Sequence, residues 1–120
     1  MRRKAGTLVP LEVAILEAFL ELRGLGTTEA HGFRVAKEMQ DREGARRLTA
    51  HGTLYKALGR LEKTGYLASH WEDPGDVDLG RPRRRLYHVT AEGERACVTA
   101  RQVAAQPHAR LVSQPDGAAT

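Results

Sequence analysis

Residues 48–67 read LTAHGTLYKALGRLEKTGYL. Leu54, Leu58 and Leu61 recur at helical spacing with Ala57 beside them, which predicts a helix over 50–64 with one buried stripe. At about 100° per residue, Lys56 and Lys63 fall opposite that stripe, and Thr53, Tyr55 and Arg60 fall on its flanks. Thr49 is the expected N-cap, since its hydroxyl accepts from an orphan amide of the first turn. Gly65 is placed to end the helix in the left-handed conformation. A leucine-anchored helix with outward cations is either a core helix with a solvated basic face or an element that meets a polyanion. Its neighbours along the chain decide between the two.

Two helices are expected upstream. PLEVAILEAFLEL (10–22) opens on Pro10, which suits a first turn because its missing donor has no partner there anyway. Leu11, Ile15, Ala18, Phe19 and Leu22 define its inner face, and Gly24 and Gly26 end it. AHGFRVAKEMQD (30–41) reads as a second helix, capped by Thr28 or His31, with Phe33, Ala36 and Met39 inward. A loop containing Gly44, Arg46 and Arg47 leads to the third helix.

Downstream, YLASHWED and RRRLYHV alternate like two strands, joined by the turn-rich PGDVDLGRP. They form an antiparallel hairpin with a charged tip, and Trp71 is expected to pack at its base. Arg81, Arg83, Arg84 and Arg85 crowd around Pro82 on the second arm. Thr90 then caps a fourth helix over 91–106, whose thin apolar stripe is Ala96, Ala100, Val103 and Ala104. Pro107 stops it.

The chain has 120 residues, 41% apolar and 28% charged, with a net charge of +4. These values fit one globular domain. No apolar run approaches the length of a membrane span. The basic start and apolar segment that follows resemble a signal peptide only superficially, because Glu12, Glu17 and Glu21 interrupt it. Cys97 is the sole cysteine, so no internal disulfide forms, and a cytoplasmic location is expected. The five histidines show no zinc-ligand spacing, and no Ser-His-Asp set, paired acids or phosphate-cradling glycine loop stands out. We therefore expect no enzyme, no metal and no cofactor.

Three helices followed by a two-stranded hairpin define a winged helix-turn-helix, a mainly helical α+β fold. A helix fits the DNA major groove and the hairpin beside it reaches the backbone. The strings TLVPLEVAIL, HGFRVAKEM, LTAHGTLYKALGRLEKTGYL and GRPRRRLYHVTAEG, with Trp71 upstream of the last, resemble the PadR family of transcriptional regulators over about residues 8–97. The resemblance implies a homodimeric repressor of a palindromic operator in double-stranded DNA. It implies groove contacts from Thr53, Tyr55, Lys56 and Arg60, phosphate contacts from Thr49 and His51, and wing contacts from Arg81, Arg83 and Arg84. Lys63 joins them as an outward cation of the third helix. The dimer is expected from Leu11 and Ile15 of the first helix with Ala96, Ala100, Val103 and Ala104 of the fourth.

The implied organisation is a basic arm (1–8), a winged helix-turn-helix domain (9–89), a dimerisation helix (90–106) and a disordered tail (107–120). Two departures from the family stand out. Gly59 lies mid-helix, at a cost of roughly 1 kcal/mol relative to alanine, but opens room for close backbone approach. The fourth helix is poor in leucine and has no aromatic residue. Two alternatives stay open. One is a sensor whose small-molecule, nucleotide or metal effector changes DNA binding, with Arg81, Arg85 and Trp71 as ligand candidates. The other is a nonspecific architectural DNA binder.

Overall fold

The computed structural model describes residues 7–43, 51–76 and 80–104. Thr49, the loop arginines Arg46 and Arg47, the basic arm up to residue 6 and the tail lie outside the described residues.

The first helix, α1 (Pro10–Gly24), begins as its proline predicts and closes two residues past the expected end. Gly26 adopts φ 98°, and the amides of Gly26 and Thr27 donate back to Arg23 O and Leu22 O. This left-handed cap satisfies carbonyls that the helix end otherwise leaves unpaired. The second helix, α2 (Gly32–Glu43), starts two residues later than expected. His31 caps it: its Nδ1 accepts from the Arg34 amide at 3.2 Å. Its inner face is Gly32, Val35 and Met39, with Ala36 half-buried. Phe33, expected inside, is 60% exposed. The reason is steric. The Tyr55 ring lies on Gly32 so closely that a Cβ there would meet it at 2.5 Å, so the small residue faces inward and its large neighbour turns out.

The third helix, α3 (His51–Thr64), buries Leu54, Ala57, Leu58 and Leu61, the stripe that its spacing predicts. Gly65 (φ 93°) ends it, with Gly65 and Tyr66 donating to Glu62 O and Leu61 O. Strands β1 (Leu67–Trp71) and β2 (Arg85–Val89) pair antiparallel, from Leu67 opposite Val89 to Trp71 opposite Arg85. A short 3-10 turn (Pro74–Asp76) begins the tip. Ala30, just before α2, adds a one-residue bridge to β2 by exchanging both amide bonds with Tyr87. The segment leading into α2 is thereby tied to the hairpin.

The last helix, α4 (Ala91–Ala104), is capped by Thr90, whose Oγ1 accepts from the Gly93 amide at 3.0 Å. The same hydroxyl donates to Gly65 O at 2.6 Å, and the Thr90 amide donates to Tyr66 O. Gly93 packs directly on that turn; a Cβ there would lie 2.2 Å from Tyr66 O.

Ile15, Leu16, Phe19 and Leu22 of α1 meet Val35, Leu54, Leu58, Leu61, Leu67 and Cys97 in one core. Burying a side chain of this size contributes about 1.5–3 kcal/mol each. Ile15 is wholly enclosed, so it is a core residue and not part of any surface available to a second copy. Cys97 is likewise buried, and burial pushes its thiol pKa up, which suits packing rather than redox chemistry. Among the described residues, no helix is long and apolar enough to cross a membrane.

Candidate nucleic-acid interface

Three elements, α2, α3 and the wing, converge at the entrance of α2. The Tyr55 ring covers Gly32 at the start of α2, and the wing residue Arg84 places Nη1 3.0 Å from His31 Nε2 on the preceding turn. The hairpin, the α2 entrance and the outer side of α3 therefore share one border. Thr53, Lys56 and Lys63 are exposed on α3. His51 opens the helix, but its side chain lies outside the described residues. Tyr55 is 42% exposed, divided between sealing Gly32 and facing out.

Charge is arranged unevenly. The first turns of α1 and α4 carry acids (Glu12; Glu92 and Glu94), as a helix N-terminus favours. Those of α2 and α3 carry none. Among the described residues, Lys56, Lys63, Arg34, Arg83 and Arg84 have no ion-pair partner, whereas Arg42, Arg60, Arg81, Arg85 and Arg101 each have at least one. The unpaired cations lie on the entrance of α2, the outer side of α3 and the wing.

The wing arginines divide by role. Glu72 receives Arg81 through both carboxylate oxygens (3.1 and 3.2 Å) and accepts the Arg84 amide. Those bonds, the Arg81 contact first, hold the Glu72 carboxyl below its usual pKa. Arg83 donates from Nε to Glu72 O at 2.8 Å and is otherwise exposed. Arg81, expected to face phosphates, is tied to Glu72. Arg85 is also engaged: it donates to Ser69 Oγ at 2.9 Å, pairs with Glu62 at 3.5 Å and lies 5.3 Å over the Trp71 ring. Arg81 and Arg85 are each committed to a different acid, so they do not form a ready anion pair. Trp71 stands 54% exposed on the wing, with Arg85 over its face, rather than packed at the base. His70 and His88 do not meet; they sit opposite Leu86 and Ala68.

Arg60 departs most from the outward reading. Its Nε donates to Glu12 Oε2 at 2.9 Å, and Glu12 is buried to 1% exposure. The other carboxylate oxygen accepts the Val9 amide. Arg60 therefore anchors α3 to the start of α1 with one edge of its guanidinium.

Away from this face, an apolar groove of about 1120 Å³ runs between α1 and α4. Ala96, Ala100, Val103 and Ala104 line it as the α4 stripe predicts, but α1 contributes Val13 and Ala14. Leu11 does not line it and packs half-buried against the core instead.

Two residues on the basic face carry no periodic signal in the sequence. His31 is legible only as a cap. Arg34 is detectable because a cation in a helix's first turn opposes the local dipole. Among the described residues, no group of three or more His, Cys, Asp or Glu side chains could hold a metal ion.

Three helices, a hairpin tied to the helix pair and a basic face across both define a winged helix-turn-helix protein. Residues 22–98 match the profile of the Transcriptional regulator PadR-like family. The chain belongs to that family, whose members are transcriptional regulators and not enzymes. A PadR family regulator from Eggerthella lenta is similar at 30% identity over 81% of this chain and 73% of that one, with a TM-score of 0.56. A transcriptional regulator from Clostridium thermocellum shares the fold at a TM-score of 0.66 and 21% identity, covering 88% of this chain and 92% of that one. Bacillus subtilis PadR in complex with operator DNA shares it at a TM-score of 0.59 and 17% identity, over 75% of this chain and 46% of that chain. No curated protein sequence matches significantly.

Proposed function

We propose that the protein is a homodimeric repressor that reads a palindromic operator with α3 and braces on the DNA backbone with its wing. The observation that carries this reading is the 3.0 Å approach of Arg84 to His31, which sets the wing cations beside those at the entrance of α2. The operator complex of the Bacillus subtilis relative supports it. Thr53, Lys56 and Lys63 are the proposed groove-side residues, joined by His51 and Thr49 at the helix start and by the exposed edge of Tyr55. Arg83 and Arg84 are the proposed wing contacts, and Arg60 holds α3 in place. The second copy covers the groove between α1 and α4, meeting Val13, Ala14, Ala96, Ala100, Val103 and Ala104. Two-fold symmetry sets the two α3 helices about 34 Å apart, one turn of DNA.

Genome-wide mapping of bound DNA, followed by binding assays on the recovered sites, tests the reading. Recovery of a two-fold sequence bound by wild type and lost with Lys56→Ala supports it. Equal affinity for the recovered sites and random duplex favours the architectural alternative and overturns operator reading. The groove also suits an apolar effector, so release of bound DNA by a ligand that raises the melting temperature would make the protein a sensor.

A further inference from the structure

We infer that His31 and Arg84 together form a seat for one DNA backbone phosphate, in which imidazole Nε2–H and the Arg84 guanidinium donate to the same anionic group. The inference rests on the DNA-binding reading above and adds to it a residue from outside both α3 and the wing.

Its basis is a mismatch of donors. A neutral imidazole has one N–H and one acceptor nitrogen, and a guanidinium only donates. His31 Nδ1 faces the Arg34 amide at 3.2 Å, and Nε2 faces Arg84 Nη1 at 3.0 Å. One ring cannot accept from both. With the proton on Nε2, the α2 cap forms and an N–H faces the guanidinium. With the proton on Nδ1, Arg84 is satisfied and the cap is lost. The imidazolium makes neither bond. Partial burial opposes it first, then Arg84, Arg81 and Arg34, against Glu72 alone in its favour.

An anionic oxygen placed against Nε2 and Nη1 removes the conflict. The cap stays intact, Nε2–H gains an acceptor, and the Arg84 guanidinium gains a direct ion-pair partner, where Glu72 acts on it only at longer range. Glu72 does not compete strongly for this place, because Arg81 occupies both of its oxygens. Hydrogen bonds to charged groups are among the stronger ones, and such a seat also fixes the wing's distance from α2.

Fluorescence anisotropy with a mixed-sequence duplex tests the seat in the full chain. His31→Asn keeps a good N-cap acceptor but lacks the reach of Nε2, whereas His31→Ala loses both. Both variants are expected to bind about tenfold more weakly, with His31→Asn melting at the wild-type temperature. Combining His31→Asn with Arg84→Gln should cost less than the product of the single losses, because both serve one phosphate. In the wild type, imidazole ¹⁵N resonances of His31 should move toward the Nε2–H tautomer on adding duplex. Wild-type affinity in His31→Asn with weakened His31→Ala reduces His31 to a cap and overturns the inference, as does strict additivity with Arg84→Gln. A resonance shift with inorganic phosphate but none with duplex assigns the seat to a free anion and overturns its DNA form. No duplex binding by the wild type overturns the DNA reading and this inference with it.

Discussion

Arg60 Nε donates to Glu12 Oε2 at 2.9 Å, and Glu12 is buried to 1% exposure at the start of α1. The pair clamps α3 across the helical core from one end. Arg60→Ala leaves a buried carboxylate short of a charged donor and should destabilise the protein by roughly 1–3 kcal/mol. Urea titration checks this. Adding Glu12→Gln should recover part of the loss, because the amide removes the buried charge. If Arg60→Ala keeps wild-type stability and loses DNA binding, the residue is a groove contact instead.

The wing arginines should separate by salt dependence. Each lost phosphate contact lowers the slope of log K against log salt by about 0.9. Arg83→Ala and Arg84→Ala should each lower it by about that amount. Arg81→Ala should leave the slope nearly unchanged and instead loosen the tip, since its charge is already committed to Glu72. Affinity measured over a series of salt concentrations distinguishes the three.

Gly59 separates folding from binding. A Cβ at this position meets nothing within 4 Å. Gly59→Ala should therefore raise stability by about 1 kcal/mol through helix propensity. Close approach of DNA to the bare backbone predicts weaker duplex binding in the same variant. Thermal melts and anisotropy should move in opposite directions.

His70 adds a pH-dependent link. Its Nε2 lies 2.6 Å from Glu29 Oε2, and that hydrogen bond, reinforced by the Trp71 carbonyl, raises the imidazole above its ordinary value of 6.5. A base raised in the folded state contributes fully below its unfolded value and loses that contribution as pH rises through the folded one. The tie between β1 and the segment before α2 should therefore weaken above the raised value. Amide exchange near residues 29 and 70 should quicken there, and Glu29→Gln should abolish the pH step.

What the sequence made legible was periodic. Leucines spaced along α3, the proline that opens α1, Gly65 and the Thr90 cap are local signals, and the helix order with its hairpin followed from them. The misread features depend on partners remote in sequence. Glu12 looks like an interruption of an apolar segment until Arg60, 48 residues away, supplies a counter-charge. Phe33 fits an inward position by residue type, but Tyr55 occupies the space against Gly32 and sets the opposite rotation. Ala30 forms a single-residue bridge, too short for any alternation to announce. The arginine run announces charge, but only the acids opposite it, Glu72 and Glu62, divide structural arginines from available ones.

The junction at Thr90 sets the direction of α4. Its hydroxyl and amide fasten the start of α4 to Gly65 and Tyr66, immediately past the end of α3, and Gly93 leaves no slack on that turn. A helix of 14 residues extends roughly 21 Å from such a pivot. A tilt of about 10° there swings its far end by roughly 4 Å, which turns a small change at the joint into a large change in the reach of the whole arm.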